Sequence, residues 1–246
     1  MMRTGVRFRF IHEAMPPAAQ TLQWIRPPRQ ARTQETLERL LDAAEALLME
    51  KRFEDVHVAE VARRAGTSVA AFYRRFKDKE GLLHALHERL CEEAFATADD
   101  ALDPERWAGA GIREILETVV PFLIAVFEER QALDLAVYQR GLTDEAMRER
   151  SHRLIRHALD RLSALLLARR EEITHPQAER AVSFALMQTA AMLNHLYTAR
   201  FRDAGLARMG DPEIAAEIVR SCLAYLGANG EAPPNATSRY ATGDLK

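Results

Sequence analysis

Ala70 and Ala71 precede Tyr73, Arg74, Arg75, Lys77 and Lys79, all within ten residues of the stretch AEVARRAGTSVAAFYRRFKDKEGLL (59–83). A slim tip of alanines with an arginine behind it suits the DNA major groove. Alanine adds no bulk there and can touch a thymine methyl, while a guanidinium can make a bidentate contact with guanine. On a helical wheel Ala70, Ala71 and Arg74 centre on one side, flanked by Tyr73 and Arg75, and Val69, Phe72 and Phe76 fall on the other, facing a core. Tyr73, Arg75, Lys77 and Lys79 are placed for backbone phosphates, which fix register without reading sequence.

Such a tip needs a rigid mount. The residues before it read as a short helix, 58–65, stopped at Gly66-Thr67-Ser68 and followed at once by a second, 68–76. That spacing is a helix-turn-helix. Gly66 can adopt the left-handed conformation that ends a helix, Ser68 can accept a bond from an orphan N–H, and the small Ala62 and Ala65 allow a close crossing. Arg63 and Arg64 are expected on solvated surface.

Around this unit nearly everything has helical periodicity. Thr33 is the expected cap of a first helix carrying Leu37, Leu40, Leu41, Ala44, Leu47 and Leu48. Further helices are expected at 79–98, 112–129, 132–140, 144–170, 176–202 and 211–226, with a linker at 99–111, and the fold class is all-α. Pro176 and Pro212 are expected in first helical turns, with Asp211 as a cap. Residues 1–32 read as a flexible basic arm and 229–246 as a polar, disordered tail.

Composition narrows the class of function. A net charge of -2 argues against coating nucleic acid by bulk charge but leaves a local basic face open. No apolar run is long enough for a membrane span, and the two isolated cysteines, Cys91 and Cys222, suit a reducing cytoplasm. No nucleophile or phosphate-loop motif is present, so neither an enzyme nor a bound cofactor is expected. His84, His87, Glu88 and Cys91 share one helical face with metal-capable spacing; the Leu83, Leu86 and Leu90 stripe is expected to leave them at the solvent side, without a metal.

The stretch FEDVHVAEVARRAGTSVAAFYRRFKDKEGLL resembles the DNA-binding domain of tetracycline-repressor (TetR) family regulators. The likeness rests on Phe53, Val58-x-x-Val61-Ala62, Ala65-Gly66, Ser68 and the pattern from Phe72 to Leu82, and it covers roughly residues 33–83. It implies that Tyr73 and Lys79 touch phosphates and that Ser68, Ala70, Ala71 and Arg74 line the groove; His57 and Thr67 complete the expected DNA-facing set. Arg52 stands where the family usually has glycine, which implies a left-handed arginine, and His57 where it commonly has threonine.

The resemblance also implies a helical effector-binding and dimerisation domain over 84–228, with helices 176–202 and 211–227 pairing two subunits. Ala181, Phe184, Ala185, Ala191 and Met192 on one, and Ile214, Ile218, Cys222 and Tyr225 on the other, suit such packing. Expected effector contacts are Phe122, Phe127, Tyr138, His152, Met187 and His195. The function expected is a repressor released from a palindromic operator by a small molecule; the alternatives are an activator, an effector-independent regulator, or a metal-responsive one using His84, His87 and Cys91.

Overall fold

The computed structural model describes residues 31–197 and 209–228. The expected arm before residue 31, the helix end at 198–202 and the tail 229–246 lie outside these residues. Among the described residues the protein is all-α, without a strand: α1 (Ala31–Leu48), α2 (Val58–Arg64), α3 (Val69–Tyr73), α4 (Lys79–Ala101), α5 (Ile112–Gly141), α6 (Glu145–Leu167), α7 (Ala178–Tyr197) and α8 (Asp211–Leu226). Single 3₁₀ turns lie at Phe53–Asp55 and Arg170–Glu172. No helix among the described residues is long and apolar enough to cross a membrane.

Several boundaries depart from the sequence reading. Thr33 falls inside α1 rather than capping it, and α4 continues to Ala101. The helices expected at 112–129 and 132–140 are one. Between them stand Arg130 and Gln131, good helix formers with no glycine or proline to stop the ladder. Pro121 sits inside α5, where it removes one ladder bond. α6 ends at Leu167 rather than 170, because Arg170–Glu172 tighten into a 3₁₀ turn. Pro176 precedes α7 instead of opening it, and Gly210, not Asp211, caps α8. Asp211 instead accepts the Tyr197 hydroxyl at 2.6 Å.

Two apolar cores organise the molecule. The first joins Leu37, Leu40 and Leu47 of α1, Phe53, Val61, Phe72 and Phe76, and Leu82 and Leu86 of α4, and it extends to Leu133, Ala136 and Val137 of α5 and Met147 of α6. The second packs the other half of α5, from Ile112 to Ile124, against Leu162, Leu165 and Leu166 of α6, Ala181, Val182 and Ala185 of α7, and Ile214, Ile218 and Leu223 of α8. α5 therefore runs through both. At the start of α5, the backbone N–H of Ile112 donates to Glu172 Oε2 at 2.9 Å, and Arg169 donates to the carbonyls of Trp107, Ala110 and Leu165. These bonds fold the 102–111 connection onto the end of α6.

Candidate nucleic-acid interface

The turn between α2 and α3 is locked at both ends. Gly66 sits at φ 62, its N–H donates to Arg63 O at 3.1 Å, and the N–H of Thr67 donates to Ala62 O at 2.9 Å. This is the two-bond C-terminal motif whose left-handed position favours glycine. Ser68 is extended, and its Oγ accepts the N–H of Ala71 at 3.1 Å, as a helix cap should. Asp78 caps α4 in the same way, accepting from Gly81 N–H at 2.9 Å.

Only five residues form α3, and its buried arc differs from the wheel. Ala71, expected at the groove side, is 6 % exposed, whereas Val69, expected in the core, is 40 % exposed. The reason is local. A short helix pressed against α2 turns inward the position one turn beyond its cap, and Ala71 is the side chain small enough to fit there. The outward side is Val69, Ala70, Tyr73 and Arg74, with Ser68 and Lys77 exposed beside it. Tyr73 packs edge-on against Phe72 with centroids 5.4 Å apart, holding its ring at the rim.

Charge pairing separates the cations that could meet DNA from those already occupied. Lys51 pairs with Glu60 at 2.5 Å, Arg64 with Glu50 at 2.7 Å and Arg52 with Glu54 at 3.5 Å. Among the described residues no acid or hydrogen-bond acceptor engages Arg74, Arg75 or Lys77. Arg75 is half-buried, and burial together with the adjacent Arg74 charge pulls its guanidinium below the usual range. His57 is exposed at the start of α2 and makes no side-chain cap bond. Arg52 has φ -69 and ψ 154, extended rather than left-handed, so its place at a usual glycine position carries no strain.

Lys79 departs most from its expected role. Its Nζ donates to the carbonyls of Phe53, Glu54 and Val56 at 2.8, 3.0 and 3.1 Å, and it lies 4.6 Å from the Phe53 ring centroid. All three ammonium protons are committed to the backbone, so it secures the 3₁₀ turn in front of α2 instead of reaching a phosphate. Next to it, Arg140 of α5 makes a bidentate pair with Glu80 of α4 at 2.8 and 3.0 Å.

The polar set on α4 faces inward, not to solvent. His84, His87 and Cys91 are all buried. His84 Nε2 meets Asp144 Oδ2 at 2.9 Å. His87 Nδ1 accepts from Arg150 at 3.2 Å, its Nε2 lies 3.1 Å from Ser151 Oγ, and that hydroxyl donates to Met147 O at 3.2 Å. Burial first, then the Arg150 charge, lowers the His87 imidazole to about 3, so it is neutral; burial raises the Cys91 thiol to about 11. His84 and His87 are spent on joining α4 to Asp144 and α6, and among the described residues no group of three potential ligands is arranged to hold a metal.

The six expected effector residues do not converge. Phe127 is half-buried and stacks on Tyr197 with centroids 6.0 Å apart, and Phe122 is half-buried on the same helix. Tyr138, Met187 and His195 are exposed, the last two on the outer side of α7. His152 alone lines an open surface recess, of about 620 Å³, together with Arg150, Arg153 and Arg156. A second space, about 660 Å³, opens between α5 and α8 over Pro121, Ile124, Val219 and Leu223, and none of the six reaches it. The sequence reading missed Arg150, and also Asp134, which burial pushes up to about 7. The available signal was a charge at a position where a helix needed an apolar side chain.

Residues 40–86 match the family described as bacterial regulatory proteins, tetR family. Over 51 residues the chain is 43 % identical to an uncharacterized HTH-type transcriptional regulator, YvkB, of Bacillus subtilis strain 168; the match spans 21 % of this chain and 27 % of that relative. The whole fold is similar to a TetR-family regulator from Mesorhizobium loti, with TM-score 0.63, 19 % identity, and 80 % of this chain and 98 % of that one covered. It is also similar to a TetR regulator from Haloarcula marismortui, with TM-score 0.59, 19 % identity, and 79 % and 98 % covered. A third similar structure is FadR of Bacillus subtilis in complex with stearoyl-CoA, with TM-score 0.55, 17 % identity, and 78 % and 99 % covered.

Proposed function

We propose that the chain is a TetR-family transcription regulator that binds DNA, a cytoplasmic homodimeric repressor released from a palindromic operator by a small molecule; the match of residues 40–86 to the tetR family and the similarity of fold to TetR-family regulators support this reading. The observation that carries the reading is the outward side of α3. There Ala70, Tyr73 and Arg74 stand exposed on a locked two-helix unit, and the cations of Arg74 and Lys77 are unclaimed while their neighbours are paired. The groove-reading set is Ser68, Val69, Ala70 and Arg74, with His57, Thr67, Tyr73, Arg75 and Lys77 toward the phosphates.

Dimerisation is supported by what α7 and α8 leave uncovered. Phe184, Met187 and Met192 are exposed on α7, and Phe184 meets the exposed Tyr225 of α8 with ring centroids 5.3 Å apart. Ala181, Ala185, Ile214, Ile218 and Cys222 are spent on the protomer's own second core. A two-fold pair places two α3 helices in successive major grooves, about 34–36 Å apart. The effector acts by favouring a conformer in which that spacing is lost, which requires different affinity for the two conformers.

Footprinting the protein on the DNA upstream of its own gene tests the reading. An inverted repeat protected in preference to random competitor at moderate salt is the expected result. Equal affinity for all duplexes overturns it.

A further inference from the structure

Arg150 is 7 % exposed, yet among the described residues no carboxylate comes within ion-pair distance of it. Its guanidinium makes one hydrogen bond, to the imidazole Nδ1 of His87. A buried cation facing a neutral partner is costly unless a counter-charge is supplied. The open surface recess it lines, of about 620 Å³, is bordered by the exposed Arg153, Arg156 and His152, with Glu149 as the one carboxylate lining it. These side chains lie at positions 149, 150, 152, 153 and 156 of α6, so one helix presents three guanidiniums to a single space. Forked N–H groups of this kind match the two oxygens of a carboxylate or a phosphate.

We propose that Arg150, Arg153 and Arg156, with His152, bind a small oxyanion, a carboxylate or phosphate ester, and that Arg150 passes its occupancy to α4 through His87. The regulatory consequence rests on the function proposed above; the site itself does not. An oxyanion on Arg150 competes with His87 for the same guanidinium. His87 then loses its donor, and the chain of bonds from His87 to Ser151 to Met147 O, which fastens α4 to α6, is rearranged. α4 begins at Lys79, whose ammonium holds the 3₁₀ turn before α2. A shift of α4 therefore reaches the DNA-facing unit through continuous contacts.

Titration calorimetry on the full chain tests the site, with inorganic phosphate, succinate and tetramethylammonium each added at constant ionic strength. Saturable binding of phosphate or succinate, at least tenfold weaker in the Arg153→Gln/Arg156→Gln double variant, supports it, and the anion that binds identifies the source chemistry. Those two positions are exposed, so the variant tests charge without disturbing the core. No saturable binding of either anion, equal binding by the variant, or preference for the cation overturns it. Fluorescence anisotropy on upstream DNA then reads the relay. His87→Gln is expected to keep the anion affinity and lose the anion-induced change in DNA affinity; a variant that responds like the wild type overturns the relay. If the protein binds no duplex selectively, the repressor reading falls while calorimetry still decides the site.

Discussion

Arg74 and Lys79 lie five residues apart, and their surroundings give them different work. Arg74 is exposed and, among the described residues, unpaired, so Arg74→Ala should cost about 1–3 kcal/mol of operator affinity and relax base preference at one position, read by anisotropy on a panel of single-base operator variants. Lys79→Met removes three bonds to backbone carbonyls. It should lower unfolding free energy by about 2 kcal/mol in urea melts while leaving the salt slope of DNA binding unchanged. Lys77→Ala should lower that slope by about one. His87 and Asp134 make an opposed pair. The His87 value falls from 6.5 to about 3 on folding, so the unfolded chain holds the extra proton and stability rises with pH across that interval. The Asp134 value rises from 3.8 to about 7, so the folded chain holds the extra proton and stability falls with rising pH. Between about pH 4 and 6.5 the two slopes, each about 1.4 kcal/mol per pH unit, cancel. Asp134→Asn should therefore unmask a stability that climbs with pH, and His87→Gln one that declines, in melts across that range.

At the scale of elements, helix ends depend on single atoms. Ser68→Ala removes the one side-chain cap of α3 and should cost about 1 kcal/mol, measured by chemical denaturation. At the other end of the molecule Gly227 closes α8 at φ 66, and a Cβ there would lie 2.0 Å from Thr174 Oγ1. These caps were legible: Gly66, Ser68 and the helix-turn-helix spacing could be read from residue types because local backbone chemistry fixes them. The orientation of α3 was not. A wheel assumes that the most apolar residues face the core, and in a helix of five residues Val69 lost its place to the smaller Ala71 because contact with α2 decides the rotation. The inward turn of His84 and His87 was equally hidden, since their partners Asp144, Arg150 and Ser151 lie about sixty residues away in sequence. The continuation of α5 past residue 130 was legible locally, in good helix formers with no glycine or proline to stop the ladder, and the single long helix then anchors a core at each end.

At the scale of the whole molecule, the proposed assembly rests on the uncovered apolar side chains of α7 and α8. Phe184→Glu together with Met187→Glu should give a monomer in sedimentation velocity and reduce operator affinity by about a hundredfold or more, because the second recognition helix then binds as an independent event. The apolar set around Phe72 and Phe76 makes no such clean division. It includes Leu133, Ala136 and Val137 near the end of α5 and Met147 at the start of α6, while Arg140 clamps Glu80 from outside. The candidate DNA-reading head is thus not a detachable cassette. Excised at residue 83, it would leave α4 cut short and strip four apolar neighbours from its interior. A chimera that grafts this head onto a related body must carry the tips of α5 and α6 with it, or else rebuild that seam from the recipient's own residues.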